Sequence, residues 1–164
     1  MEIFKTIDGY DNYKISNYGN VINDNTKRIL KPTISQSGYY YVRLSINGNI
    51  TGFSIHRLVA FYFCENKNNY DMVDHIDRDI TNNCYDNLRW VTKSQNSRNI
   101  DKKKNTSSKY VGVHLNTKRQ KWVSQFKLNG KIKYLGSFDT DEEAYEAFKN
   151  KIIEHNLQEF YPDL

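Results

Sequence analysis

A chain of 164 residues, 38% hydrophobic and 26% charged, holds one ordinary domain or two to three small ones and excludes a large multidomain enzyme. No apolar run approaches the ~20 residues of a membrane-spanning helix, and the opening MEIFKTIDGYDNYKIS lacks the apolar core of a signal peptide, so a non-secreted, intracellular protein is expected. Residues 1–100 carry 12 basic and 10 acidic groups, residues 101–133 carry 10 and 1, and residues 134–164 carry 2 and 8, so the net excess is focused in one segment, which favours a polyanionic partner with a solvated surface as the alternative on charge alone.

The first segment, residues 1–50, breaks into short strand-like runs at Tyr13–Ser16, Asn20–Ile22 and Tyr39–Ser45, with Asn17-Tyr-Gly19 and Asn47-Gly48 as turns. It reads as a small β module. The second segment, residues 51–101, opens with Ser54 as N-cap of a helix through Phe63, followed by an extended run Met72–Ile76 and a strand Leu88–Val91. Thr92-Lys-Ser-Gln95 has capping-box spacing, which predicts a helix starting at Lys93. Cys64 and Cys84 lack CxxC partners and a secretory context, and read as packed, reduced thiols.

Lys102–Ser108 has linker composition. Beyond it, in residues 107–160, Val111–Leu115, Lys121–Leu128 and Ile132–Leu135 predict three strands, with Asn129-Gly130 as a two-residue hairpin turn pairing Leu128 with Lys131, Lys127 with Ile132 and Gln125 with Tyr134. Thr140-Asp-Glu-Glu143 is a second capping box, and Ala144, Ala147, Phe148 and Ile152 recur at helical spacing. The alternation puts Lys121, Gln125, Lys127 and Tyr134 on one face, and Trp122, Phe126, Leu128 and Leu135 under the helix.

Chemistry concentrates in residues 73–97. Asp74 and His75 are adjacent at a strand end, so their side chains diverge, one able to hold a metal while the other faces water. Asn96, in the first turn of the following helix, can fold back beside Asp74. One carboxylate and one amide are hard oxygen donors suited to Mg²⁺ or Mn²⁺ rather than to a closed zinc cage. A histidine between such ligands and a substrate acts as a base near neutral pH. By themselves these residues are also what a solvated polar turn presents. His56, on a helix between apolar positions, reads as structural more than as a phosphate contact, and Arg57, Arg78, Arg89 and Arg98 read as either phosphate contacts or solvated charges.

Residues 54–99, with Ile55-His-Arg-Leu-Val-Ala, Asp74-His75, Asn82-Asn83, Asn87-Leu-Arg-Trp-Val-Thr and Asn96, resemble the HNH nucleases, particularly the phage intron-encoded homing endonucleases. The first segment resembles the small module that often precedes that nuclease, through Ile7-Asp-Gly-Tyr, Tyr13-Lys-Ile-Ser-Asn and Tyr18-Gly-Asn-Val. The third resembles the Apetala-type DNA-binding domain, through Tyr110-Val-Gly-Val, Lys121-Trp-Val and Tyr134-Leu-Gly-Ser-Phe-Asp-Thr. These resemblances imply an α+β chain: an N-terminal β module, a ββα-metal (His-Me finger) nuclease, and a three-stranded antiparallel sheet packed on one helix.

They further imply His75 as general base, Asp74 and Asn96 as metal ligands, and Asn87 as the residue holding the loop or the imidazole. Asn96 stands where the family name has its third letter, His, and a neutral amide implies weaker metal binding. His114, Gln125, Lys127 and Tyr134 become candidate base or backbone contacts, and Lys118, Arg119 and Lys121 phosphate contacts. The implied function is a site-preferring, Mg²⁺- or Mn²⁺-dependent endonuclease nicking double-stranded phage, viral or host DNA, with one active site per chain. It implies no zinc, no small-molecule cofactor and a monomer, with a dimer as the alternative. The rival functions are a catalytically inactive DNA-binding regulator and an RNA binder.

Overall fold

The computed structural model describes residues 1–99, 106–161 and 164. The chain divides into two compact units, residues 1–96 and 97–164. Among the described residues no helix is long and apolar enough to cross a membrane.

Unit 1 begins with an antiparallel meander of β1 (Phe4–Ile7), β2 (Tyr10–Ser16), β3 (Val21–Asn23) and β4 (Arg28–Ile29). A second antiparallel sheet holds β5 (Thr33–Ile34), β6 (Tyr40–Ile46) and β7 (Asn49–Ser54), with β6 and β7 joined by the expected Asn47-Gly48 turn. Sequence periodicity gives no sign of β1, β4, β5 or β7, because these runs are short or mostly exposed. Strand β7 also crosses the position where the expected first and second segments meet.

Helix α1 (Ile55–Phe63) has the predicted bounds, but Ser54 makes no side-chain capping bond. The helix is anchored instead by its apolar face. Ile55, Leu58 and Val59 join Ile7, Ile15, Val21, Val42, Leu44 and Leu88 in one buried cluster. At ~1.5–3 kcal/mol per buried aliphatic side chain, that cluster welds the β sheets to the segment after them. Strands β8 (Met72–His75) and β9 (Leu88–Val91) form an antiparallel pair, followed by α2 (Lys93–Asn96). The predicted capping box is present and reciprocal: Gln95 N donates to Thr92 Oγ1 at 3.2 Å, and Thr92 N to Gln95 Oε1 at 2.7 Å. Cys64 and Cys84 are free thiols, each half-buried.

Unit 2 is an antiparallel sheet of β10 (Val113–Asn116), β11 (Lys121–Leu128) and β12 (Lys131–Phe138), with α3 (Asp141–Glu154) packed on it. The three hairpin pairs expected from Asn129-Gly130 are all observed, and a bulge then shifts the register so that Ser124 meets Gly136. Thr140 and Glu143 complete the second capping box. Phe126, Phe148 and Ile152 form the core, with Leu128 and Leu135 against it. Gly112 is required here: its φ is +77°, and a Cβ would collide with the Phe148 ring. Most of the expected linker lies outside the described residues, but its last residue, Ser108, is buried and its hydroxyl bonds Asp141 Oδ2 at 3.3 Å.

Candidate active site

Antiparallel pairing sets Asp74 opposite Arg89 and His75 opposite Leu88. Directly opposed residues share a face, so Asp74 and Arg89 lie on one side and His75 on the other, toward the cluster containing Leu88. The expected divergence of Asp74 and His75 is observed. The expectation that one faces water is not, since Asp74 is 6% and His75 4% exposed. The carboxylate is engaged by a cation: Arg89 donates Nε at 2.9 Å and Nη2 at 2.8 Å to Asp74 Oδ2.

His75 sits in an aromatic enclosure. Its ring centroid is 5.3 Å from that of His56 on α1 and 6.0 Å from that of Tyr39, which is 4.8 Å from His56. His75 Nε2 lies 3.1 Å from Asn83 Oδ1. His56 is buried and its Nδ1 has no hydrogen-bond partner among the described residues. Burial first, and then the nearness of His75 and Arg57, lowers the His56 pKa to about 4.

The twelve residues between β8 and β9 are closed by Asn87. Its Oδ1 accepts from Asp77 N at 3.0 Å, and its Nδ2 donates to Asp77 Oδ1 and Asn82 O, each at 2.8 Å. Asn82 Nδ2 adds a bond to Asp77 Oδ2 at 2.7 Å. Burial pushes the Asp77 carboxyl up, but the bonds from Asn82, Asn87 and the Asp79 backbone outweigh it and hold the group below its ordinary range. Asn87 thus clamps the loop, while Asn83 bonds the imidazole. Asn96 is half-buried on α2, which packs against β8 and β9.

In unit 2, His114, Lys121, Gln125, Lys127 and Tyr134 share one face of the sheet by register, and Lys118 and Arg119 are exposed in the β10–β11 turn. The face is less uniformly polar than alternation suggests, because Val123 is buried on it and Ile132 is 67% exposed. Lys121 Nζ is paired with Asp139, and Tyr134 OH bonds Ser137 Oγ at 2.8 Å. Trp122, expected under the helix, is half-buried outside the Phe126–Phe148–Ile152 cluster.

A strand ending in Asp-His, a loop clamped by asparagine, a second strand and a short helix have known counterparts. Residues 54–98 match the HNH endonuclease family. Residues 2–45 match the NUMOD4 motif. The DNA endonuclease I-HmuI of Bacillus phage SP01 is 40% identical over 97 residues, covering 58% of this chain and 56% of that protein. An uncharacterized HNH endonuclease of Acanthamoeba polyphaga mimivirus is 37% identical over 131 residues, 76% of this chain and 33% of the relative. The solved structure described as DNA binding and cleavage by the HNH homing endonuclease I-HmuI aligns with TM-score 0.56 at 40% identity, covering 59% of this chain and 56% of that one. The chain therefore spans from a third to about half of these relatives' lengths.

Three partners of Asp74 and His75 escape a sequence reading, two of them, Asn83 and Arg89, within the HNH segment. Asn83 is chemically indistinguishable from its neighbour Asn82 until the loop is folded. Arg89 meets Asp74 only once the strand register is known. Tyr39 comes from the connection between β5 and β6, upstream of that segment.

Proposed function

We propose that the chain is a metal-dependent, site-preferring DNA endonuclease of the HNH homing type that nicks one strand per active site. The observation that carries this is the β8 arrangement, which holds His75 and Asp74 on opposite faces of one strand that leads into a clamped loop. In this reading His75 takes a proton from the attacking water, and Asp74 and Asn96 hold the cation, as in a ββα-metal finger. The donor set fits: one carboxylate and one amide leave the remaining positions to water and a phosphate, the manner in which Mg²⁺ is commonly bound. A bound Mg²⁺ or Mn²⁺ would neutralise charge on the phosphate and the leaving 3′ oxygen. Asn87 keeps the Asp77–Asn82 loop closed behind the imidazole, and the products are 5′-phosphate and 3′-hydroxyl ends.

We further propose that residues 1–50, 51–101 and 107–160 serve as accessory module, nuclease and Apetala-type DNA binder. The three-stranded sheet with a helix behind it supports the last assignment, as does the exposure of His114, Lys118, Arg119, Lys127 and Tyr134. Gln125 sits among them and Lys121 joins once released from Asp139. Duplex DNA is the proposed partner and a monomer the proposed state. One observation favours the inactive-regulator alternative: Arg89 already engages the carboxylate a metal would use.

Supercoiled plasmid carrying the native flanking locus separates the two. Mg²⁺-dependent nicking abolished by EDTA and by His75→Ala is the expected result. Duplex binding without nicking in either metal would transfer the chain to the regulators.

A further inference from the structure

We propose that Asn83 is the positioning residue for His75, accepting the Nε2 proton so that Nδ1 is presented as the proton-accepting nitrogen. The proposal rests on reading His75 as the base. The amide orientation is fixed by its second bond: Asn83 Nδ2 donates to Thr81 O at 3.2 Å, which turns Oδ1 toward His75 Nε2 at 3.1 Å. Flipping the amide would set Oδ1 against the Thr81 carbonyl, two acceptors face to face. An amide oxygen can only accept, so the neutral ring must carry its hydrogen on Nε2.

Burial makes this assignment consequential. Asn83 is 6% and His75 4% exposed, so water offers no easy substitute partner and loss of the bond leaves a buried N–H unsatisfied. Tyr39 and His56 flank the ring and resist its rotation to another hydrogen-bond donor geometry.

Asn83 is itself seated by the N-terminal sheet. Gly19, with φ +85°, comes so close that a Cβ there would lie 3.1 Å from Asn83 Cβ and 3.1 Å from Ile55 Cγ2. Two residues past Asn83, Tyr85 N donates to Asn17 O at 2.8 Å. The turn between β2 and β3 thus backs the residue that aims the imidazole, which gives the accessory module a part in tuning the nuclease centre.

The test is long-range ¹H–¹⁵N correlation NMR of the full-length, ¹⁵N-labelled chain in mildly alkaline buffer, with His75 assigned among the four histidines by difference from His75→Gln. The wild-type ring is expected as the Nε2–H tautomer. Asn83→Asp, which keeps an acceptor, retains that pattern; Asn83→Ala gives a mixture and lowers kcat for nicking about 10–100-fold, as loss of an orienting partner does, with KM for DNA little changed. A wild-type Nδ1–H tautomer overturns the proposal whatever the Asn83 variants do. So does an Asn83→Ala ring with unaltered tautomer and unaltered kcat. The spectrum needs no cleavage, so a chain that fails to nick refutes the nuclease reading while the tautomer still decides the role of Asn83.

Discussion

Arg89→Ala removes the guanidinium that faces Asp74. The side chains are 16% and 7% exposed, and the two donor distances are 2.9 and 2.8 Å. At an effective dielectric of about 20, opposite charges at this separation attract by roughly 6 kcal/mol gross. Part of that offsets desolvation, and breaking such a pair from one side costs about 3 kcal/mol net, because a buried carboxylate is left with less compensation. Urea unfolding should be followed in a Trp122→Phe background, where Trp90, whose Nε1 donates to Ala60 O at 3.2 Å, reports on unit 1 alone. In EDTA, Arg89→Ala should be less stable by about that amount. Divalent metal should then rescue it, since a cation at 100-fold its Kd restores about 2.7 kcal/mol. An Arg89→Ala curve within about 0.5 kcal/mol of its parent in EDTA, the range of an ordinary surface substitution, would refute the reasoning.

His56 is buried with its pKa lowered from 6.5 to about 4, so unit 1 is fully stable on this account above pH 6.5, and about 3 kcal/mol at most is lost as pH falls from there to about 4; His56→Gln should flatten that slope in acid unfolding curves. Phe148→Ala should cost unit 2 about 3–5 kcal/mol by opening a cavity where the side chain is 1% exposed, and Gly112→Ala should be damaging for the opposite reason, overcrowding, both visible as lowered thermal midpoints by circular dichroism. Lys127→Ala should weaken duplex binding at all sequences and reduce the salt slope of log K by about 1, whereas a sequence-dependent loss would mean that Lys127 reads bases.

Local chemistry carried the sequence reading far in unit 2. Asn129-Gly130 fixes the hairpin register, Thr140 and Glu143 fix the start of α3, and both signals act over four residues or fewer. The bulge near Leu135 was not legible, because the Asn129-Gly130 turn fixes only the pairs next to it. In unit 1 the strands bearing Asp74 and Leu88 were readable from their apolar alternation. The Asp74–Arg89 pair was not, since the twelve residues between the two strands leave the register to the loop clamp of Asn87 and Asp77. The pairing of His75 with Asn83, and the cover from Tyr39 and His56, require three separate elements to converge, which no periodicity encodes. Asn96 was readable as a helix residue through the Thr92–Gln95 box, and α2 does pack on β8.

The cluster that runs from Ile7 through Ile55 to Leu88 has a consequence for how such genes can be rearranged. A crossover near residue 50 would split strand β7 and hand each daughter half of a hydrophobic interior, so most hybrids made there would have to re-evolve packing before they could fold. A crossover between residues 96 and 97 leaves both interiors whole. Inheritance can therefore exchange the C-terminal sheet and its helix as a cassette, while the N-terminal sheets and the strand bearing His75 travel together as one heritable block.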